Sequence, residues 1–151
     1  MEKSLRKKLQ DGVFIGLTPT RSRMMSSVKP RGNRSTEMRL RFALVRFGIT
    51  GWCLHPKRMI GNPDIFFPKQ RVAIFVDGCF WHGCPTCGHI PRTNRPFWEE
   101  KLRATGSRDR KNTIALRKKG IRVLRFWEHD VTLRLERCVM KIEDFVSSVD
   151  Q

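Results

Sequence analysis

The sequence predicts an α/β fold, a three-layer sandwich with a mixed central β-sheet. Three observations support it. Short β-branched and aromatic runs are bounded by Pro and Gly, and amphipathic stretches have helical spacing. A strand-like run also lies between the two amphipathic stretches nearest the C-terminus. The predicted order is α-β-β-β-α-β-α, which is typical of helices packed on a sheet. The chain has 151 residues, which suits one compact unit, and it contains no internal repeat.

The first half of this pattern is one helix followed by three strands. The helix is predicted over "TEMRLRFALVRF", with Ser35 or Thr36 as its N-cap and Gly48 as its end. The strands are predicted at "ITGWCLH", "PDIFFP" and "QRVAIFVDG", because each is a short apolar run between turn residues.

The second half alternates helix, strand and helix. Asn94 is predicted to cap a long helix that ends at Gly120 and contains Gly106, a weak helix former, in its interior. The run "IRVLRFW" is predicted as a buried strand. The apolar residues between Asp130 and Val149 recur at helical spacing, which predicts a final helix.

The charge of the chain indicates a polyanionic partner. Its 31 Lys and Arg against 14 Asp and Glu give a formal net charge of +17 and a pI near 10.9. We favour nucleic acid over an anionic membrane or a protein partner, because no apolar run approaches the roughly 18 residues of a membrane span. No secretory signal is recognisable, so we expect a cytoplasmic protein. Residues 1–34 are predicted to be a basic N-terminal arm, and residues 35–151 one domain.

The stretch "VDGCFWHGCPTCGH" is the candidate metal site. Three cysteines at Cys79-x4-Cys84-x2-Cys87 can wrap one ion, and tetrahedral zinc needs a fourth ligand. We favour His129 over His89, because His89 lies only two residues after Cys87, and we expect the zinc to be structural. The alternative is three reduced cysteines in a tight turn. The two remaining cysteines, Cys53 and Cys138, are expected to be small buried hydrophobes.

A hydrolytic site is predicted where two neighbouring strands end. Asp64 begins one strand and Asp77 ends the next, and carboxylates in such places suit Mg²⁺. His82 follows in the cysteine-rich loop, where an imidazole that titrates near neutrality can take a proton from water. Each signal is weak alone, because an Asp after Pro is commonly a turn residue.

The chain resembles the very short patch repair endonucleases, the Vsr family of DNA mismatch endonucleases. The resemblance runs from about Arg21 to Asp130 and rests on "RMMSSV", "TEMRLR", "GNPDIFFP", "VDGCFWHGC", "NRPFWEEKL", "SRDR" and "RVLRFWE". It implies a fold similar to restriction endonucleases, a catalytic Mg²⁺ and a structural Zn²⁺. It also implies a nick on the 5′ side of the thymine in a T:G mismatch, left by deamination of 5-methylcytosine.

The resemblance also implies roles for individual residues. Asp64 and the backbone carbonyl of Val76 would bind Mg²⁺, so Asp77 would assist rather than bind the ion. His82 would be the general base, with Glu37 and Asp109 as the acidic residues that orient or assist it. The aromatic residues at these positions, Phe80, Trp81 and Trp98, would intercalate beside the mismatch from the major groove. Met25 in the arm would enter the minor groove.

The zinc ligands depart from the pattern of some family members. Cys84 stands where some have a histidine, Cys87 is shifted by one residue, and His129 replaces a final cysteine. Three Cys and one His remain in number.

Two other functions remain open from the sequence. One is a restriction-type enzyme that cuts both strands of matched or methylated DNA, and the other is a zinc-stabilised DNA-binding module without catalysis. For the preferred function we expect double-stranded DNA with a T:G mismatch as substrate. We also expect other repair proteins as possible partners, a monomer, no membrane, and activity at the bacterial nucleoid.

Overall fold

A computed structural model describes residues 9–10, 13–14 and 34–148 of the chain. In chain order the elements are β1 (Leu9–Gln10), β2 (Val13–Phe14), α1 (Arg34–Arg46), β3 (Cys53–Leu54), β4 (Ile65–Phe67), β5 (Val72–Asp77), α2 (Arg95–Lys118), β6 (Arg122–Trp127), α3 (Glu128–Leu133) and α4 (Leu135–Ser147). β1 and β2 pair antiparallel as a separate ladder, and the other four strands form one sheet.

The four-stranded sheet has the order β3-β4-β5-β6 and is mixed, as predicted. β3, β4 and β5 follow one another as antiparallel neighbours, whereas β5 and β6 are parallel. A parallel pair needs a crossover, and α2 supplies it. The carboxyl ends of β5 and β6 therefore lie side by side, with Asp77 opposite Trp127.

Helices cover both faces of the sheet, which confirms the three-layer prediction. All six residues of β5 are buried, as expected for a central strand covered on both faces. One core cluster joins the sheet to α1, α3 and α4, through residues such as Leu44, Val131 and Ile142. A smaller cluster on the other face includes Leu116 of α2. Consecutive residues of β5 alternate between the two faces, so Val76 belongs to the larger core and Asp77 points to the α2 side.

Two predicted helix boundaries were wrong, and a third was correct in position but lacks the expected capping contact. α1 begins at Arg34, so Ser35 and Thr36 lie inside the helix instead of capping it. Asn94 does stand at the N-cap position of α2, but its backbone is left-handed (φ 56°) and its side chain makes no cap hydrogen bond. The predicted final helix is divided at Arg134, whose non-helical backbone (φ −137°, ψ 42°) separates α3 from α4. Val149 lies outside the described residues.

The two isolated cysteines differ in burial. Cys138 packs in the larger core with 3% of its surface exposed, as expected. Cys53 is exposed, contrary to expectation, because β3 is a two-residue strand at the edge of the sheet. Within residues 34–148 and the two short strands, no helix has the length and apolar character needed to span a membrane.

Candidate active site and metal centre

Asp64 lies at the end of the sheet where β4 begins and β5 ends. Its backbone nitrogen donates to the carbonyl of Ile74 at 2.9 Å, which continues the β4–β5 ladder by one residue. Its carboxylate oxygen Oδ2 accepts a hydrogen bond from the backbone nitrogen of Val76 at 2.7 Å. The sheet thus fixes Asp64 beside Val76, the two residues that the resemblance pairs at a Mg²⁺ ion.

The carboxyl group of Asp64 is an unusually weak acid. Burial raises its pKa to about 7, and the nearby negative charges of Glu37 and Asp77 act in the same direction against the hydrogen bond from Val76. Glu37 reaches this place from the first turn of α1 and is itself buried. Two carboxyl groups this close favour a shared proton or a bound cation.

His82 lies in the loop after β5, and two carboxylates face its ring. Its Nδ1 lies 2.6 Å from Oδ2 of Asp109 in the middle of α2, and 3.7 Å from Oδ1 of Asp77. Burial acts to raise the pKa of Asp109, but the hydrogen bond from His82 and the positive charges of His82, Arg125 and Arg108 lower it overall. Asp109 is therefore an ionised acceptor that orients the imidazole through Nδ1, and Nε2 of His82 takes no part in this contact.

Arg125 of β6 completes this group, and no pattern in the sequence pointed to it. Its Nε and Nη2 donate to the two carboxylate oxygens of Asp77, each at 2.7 Å, and Nη2 lies 3.6 Å from Asp109. The guanidinium also stacks on the ring of Phe75 at 4.5 Å. Adjacent parallel strands bring Arg125 and Asp77 together across 48 residues. Such a pair becomes visible only once the register of β5 and β6 is known.

The sulfur atoms of Cys79, Cys84 and Cys87 converge on Nδ1 of His129 at the start of α3. The sulfur–nitrogen distances are 3.3, 3.7 and 3.4 Å, and the sulfurs of Cys84 and Cys87 are 3.7 Å apart. Ideal tetrahedral zinc places two sulfurs roughly 3.8 Å apart, and sulfur and nitrogen about 3.5 Å apart. The spacing of these four atoms is therefore compatible with a zinc site, and His89 is not part of the cluster.

The acidity of the thiols depends on the loop backbone. Burial acts to raise the pKa of Cys84, but backbone N–H groups of Cys87, Thr86 and Gly88 donate to its sulfur and lower the pKa to about 7. In contrast, burial raises the pKa of Cys79 to about 12. A cation at this site would favour the thiolate form of both. On the other side of the cluster, Nε2 of His129 lies 3.6 Å from Oδ1 of Asp130, which helps orient the ring.

The aromatic residues of the loop form one cluster with the start of α2. Phe80 packs edge-on against Trp81 and Trp98, with ring centroids 5.1 and 5.2 Å apart, and Lys101 lies over the Trp81 ring at 5.4 Å. Phe80 and Trp81 are half-buried, whereas Trp98 is only 3% exposed. Met25, the predicted minor-groove residue, lies outside the described residues.

His55 is a second residue that sequence reasoning missed. Its imidazole lies within 4.8 Å of the carboxylates of Glu37 and Asp64, so the three could hold one metal ion. No motif surrounds His55. The signal that could have found it is the β3–β4 hairpin, which sets Leu54 opposite Ile65 and so carries the next residue toward Asp64.

The fold and the family comparison agree on the class of protein. A solved structure, "Homing Endonuclease I-Bth0305I Catalytic Domain", is similar in fold, with a TM-score of 0.52 and 18% sequence identity over 75% of this chain and 94% of that chain. The family model "DNA mismatch endonuclease Vsr" matches residues 17–87. Together these findings identify the chain as a DNA endonuclease with a restriction-endonuclease-like fold.

Three relatives define its place within that class. The chain is 34% identical to the DNA mismatch endonuclease Vsr of Escherichia coli (strain K12), over 72% of this chain and 69% of that protein. It is 41% identical to the type II nicking enzyme V.NmeAIP of Neisseria meningitidis, over 60% of this chain and 69% of the relative. It is 51% identical to the type II nicking enzyme V.NaeI of Lentzea aerocolonigenes over 46% of this chain, and the match spans only 42% of that enzyme. The chain belongs to the Vsr family of DNA mismatch endonucleases.

Proposed function

We propose that this chain is a Mg²⁺-dependent endonuclease that nicks DNA on the 5′ side of the thymine in a T:G mismatch. The observation that carries the proposal is that two contacts, Asp64 with Val76 and His82 with Asp109, both lie at the carboxyl end of β5, next to the aromatic cluster. Relatives described as nicking enzymes and as a mismatch endonuclease support the same reaction.

The proposed hydrolysis divides the work between two sides of the sheet end. Asp64 and the carbonyl of Val76 would hold Mg²⁺, which when bound polarises the phosphate and makes a water more acidic. His82 accepts the proton of the attacking water at Nε2, because Asp109 occupies Nδ1. Glu37 assists by adding negative charge beside Asp64. Asp77 does not bind the ion in this scheme, since Arg125 holds both of its oxygens.

We assign a structural zinc ion to Cys79, Cys84, Cys87 and His129. All four positions of a tetrahedron would then be filled by protein, so no position would remain for substrate. The cluster joins the loop to the start of α3, and His82, Phe80 and Trp81 lie between its first two ligands. Zinc would thus hold both the proposed base and the proposed wedge in place.

For recognition we propose that Phe80 and Trp81 stack beside the mismatch, supported from below by Trp98. Separating the stacked bases at a wobble pair requires less free energy than at a matched base step, because the wobble pair stacks poorly. This difference in free energy would make the enzyme selective for the mismatch. The indole nitrogen of Trp81 is buried and has no hydrogen-bond partner within residues 34–148, which favours a rearrangement of the cluster on binding. Trp98 would contact a base only if its neighbours moved, because it is almost fully covered. Met25 remains the proposed minor-groove contact.

We further propose that residues 1–34 act as a DNA-binding arm and residues 35–151 as the endonuclease domain. Residues 1–34 contain nine Lys and Arg but two acidic residues, a composition suited to phosphate contacts. A monomer in the bacterial cytoplasm, acting at the nucleoid alone or with repair proteins, fits this use.

Strand-resolved cleavage of labelled duplexes tests the proposal. T:G-mismatched, matched and methylated duplexes would be compared with Mg²⁺ or EDTA, using the wild type, Asp64→Ala and His82→Ala. We expect one Mg²⁺-dependent nick beside the mismatched thymine, lost in both variants while DNA binding persists. Asp144→Ala, an exposed acidic residue of α4, is the matched control and should cut normally. Paired cuts in matched DNA would contradict the proposal and indicate the restriction-type reaction, and binding without any cleavage would indicate a DNA-binding module.

Metal analysis tests the zinc assignment separately. We expect close to one zinc per purified chain, and loss of zinc with partial unfolding in Cys84→Ser. Full activity in a chain free of zinc would contradict the assignment.

A further inference from the structure

Asp64, the proposed ligand of the catalytic ion, also belongs to a group of three side chains that could hold one metal ion, and one of the three is a histidine. Glu37 comes from α1, His55 from the end of β3, and Asp64 from the start of β4; their ligand atoms all lie within 4.8 Å of one another. Oε2 of Glu37 and Nε2 of His55 are 3.6 Å apart. Atoms at this separation can contact one ion at bond lengths of about 2.0–2.2 Å.

The backbone fixes His55 in this place. Its amide nitrogen donates to the carbonyl of Asp64 at 3.3 Å, so the two residues face each other across the β3–β4 ladder. His55 also has a positive φ of 41°, a conformation that a residue with a side chain adopts at some cost. The ring therefore reaches the carboxylates because the hairpin holds it there, although 53% of the side chain is exposed.

Arg41 contacts both His55 and Glu37. Nη2 of Arg41 lies 3.0 Å from Nε2 of His55 and 3.1 Å from Oε2 of Glu37. A guanidinium can only donate, so Nε2 accepts and carries a lone pair. A ring nitrogen with a lone pair is the atom through which a histidine binds a metal ion.

Arg41 is itself incompletely satisfied. Its Nε is buried and, among residues 34–148, has no hydrogen-bond partner. Its Nη2 contacts the histidine and the carboxylate that could share a cation. The guanidinium and a metal ion would compete for these two ligands, and the unpaired Nε lowers the cost of moving the arginine away.

We propose that His55 is a nitrogen ligand of the catalytic divalent cation, together with Glu37 and Asp64, and that Arg41 leaves its contact with His55 and Glu37 when the cation binds. The inference rests on the proposed metal-dependent function and deepens it. Mg²⁺ prefers an all-oxygen shell, whereas Mn²⁺ and Co²⁺ accept imidazole readily. A histidine here would therefore make the site bind Mn²⁺ more tightly than an all-oxygen site of the same charge would.

Pulsed electron paramagnetic resonance of Mn²⁺ provides the test. One equivalent of Mn²⁺ is added to the full chain with its zinc site filled, and the ¹⁴N modulation of the manganese signal is recorded. We expect nitrogen coupling in the wild type, loss of the coupling in His55→Gln, and about tenfold weaker Mn²⁺ binding in that variant. His89→Gln is the matched control, because His89 is another exposed histidine and lies outside both ligand clusters. It should keep both the coupling and the affinity.

The outcomes separate this inference from the proposed function. Mn²⁺ binding that depends on Asp64, shown by its loss in Asp64→Asn, without nitrogen coupling in the wild type would overturn the role of His55 alone. Coupling that persists in His55→Gln would do the same. If the wild type binds no Mn²⁺, or if Asp64→Asn binds it equally well, the proposed metal centre fails and the inference fails with it. The wild-type spectrum needs no variant, so a folding defect in His55→Gln leaves the first comparison intact.

Discussion

The proposed base, His82, depends on one carboxylate for its orientation. Asp109 accepts from Nδ1 at 2.6 Å, and no other carboxylate in residues 34–148 is placed as close to the ring. The proposed catalysis should therefore depend strongly on this contact.

We predict that Asp109→Asn lowers kcat about 100-fold with little change in DNA affinity. The amide keeps the shape of the side chain but removes the charge that favours the imidazolium formed on proton transfer. Single-turnover cleavage, with binding measured separately in EDTA, checks this. Glu136→Gln in the exposed first turn of α4 is the control. A proportionate loss of binding would point to a structural role instead.

The raised pKa of Asp64 makes the free energy of unfolding depend on pH. Because burial raises its pKa from 3.8 to about 7, the folded chain holds this proton more tightly than the unfolded chain. The resulting stabilisation is complete below pH 3.8 and is lost as the pH rises through about 7.

We therefore predict that, without added divalent cation, the free energy of unfolding falls more steeply from pH 5 to pH 8 in the wild type than in Asp64→Asn. Urea unfolding at each pH, with the zinc site filled, measures the difference. Parallel pH profiles for the two proteins would contradict the raised pKa.

The loop that carries Cys79, Cys84 and Cys87 depends on a glycine for its packing. Gly88 donates to the carbonyl of Cys84 at 2.9 Å, and a Cβ added at Gly88 would lie 2.8 Å from the backbone nitrogen of Cys84. The backbone atoms of Cys84 and Gly88 cannot move apart without also shifting the sulfur atoms of the three cysteines.

We predict that Gly88→Ala weakens zinc binding at least tenfold and lowers the melting temperature. Gly106→Ala is the matched control: it lies inside α2 with nothing within 4 Å of the added methyl, so it should stabilise the chain by up to about 1 kcal/mol. Zinc competition with a chromophoric chelator and thermal unfolding measure both effects. Unchanged zinc affinity in Gly88→Ala would contradict the packing of the loop.

The strands β5 and β6 are joined by a charge pair as well as by backbone bonds. We predict that Arg125→Met destabilises the chain by about 2–3 kcal/mol, because it leaves the carboxylate of Asp77, with a side chain only 9% exposed, without its partner. The double variant Asp77→Asn with Arg125→Met should recover part of this loss. Additive effects in chemical denaturation would show that the two side chains do not interact.

The whole molecule is dominated by positive charge. With a net charge of +17, DNA binding should release many counterions, and we predict that affinity for any duplex falls about 10³-fold or more between 50 and 200 mM salt. Fluorescence titration of matched and mismatched duplexes across salt concentrations tests this. The proposed preference for the mismatch would depend on stacking, so it should change far less with salt than the affinity. A preference that disappears with salt would assign recognition to charge.

Much of this architecture could be predicted from the sequence, because local patterns determine it. Apolar runs between Pro and Gly predicted the order of the strands along the chain, and the close spacing of Cys79, Cys84 and Cys87 indicated one cluster. Contacts between distant elements could not be predicted in the same way. Arg125 meets Asp77 across 48 residues, and His55 reaches Asp64 through a hairpin register, so neither contact leaves a local pattern. The break at Arg134 was missed because α3 and α4 continue the same apolar spacing.

The helix α2 carries both Trp98, at the base of the aromatic cluster, and Asp109, the partner of His82. Eleven residues separate them, which is close to three full turns, so both side chains project from the same side of one straight element roughly 16 Å apart. The helix thus fixes the distance between the aromatic cluster, where a mismatch would be recognised, and His82, where the phosphate would be cut. Lengthening it by one residue between these positions would turn Asp109 by about 100° away from His82 while leaving the aromatic cluster intact.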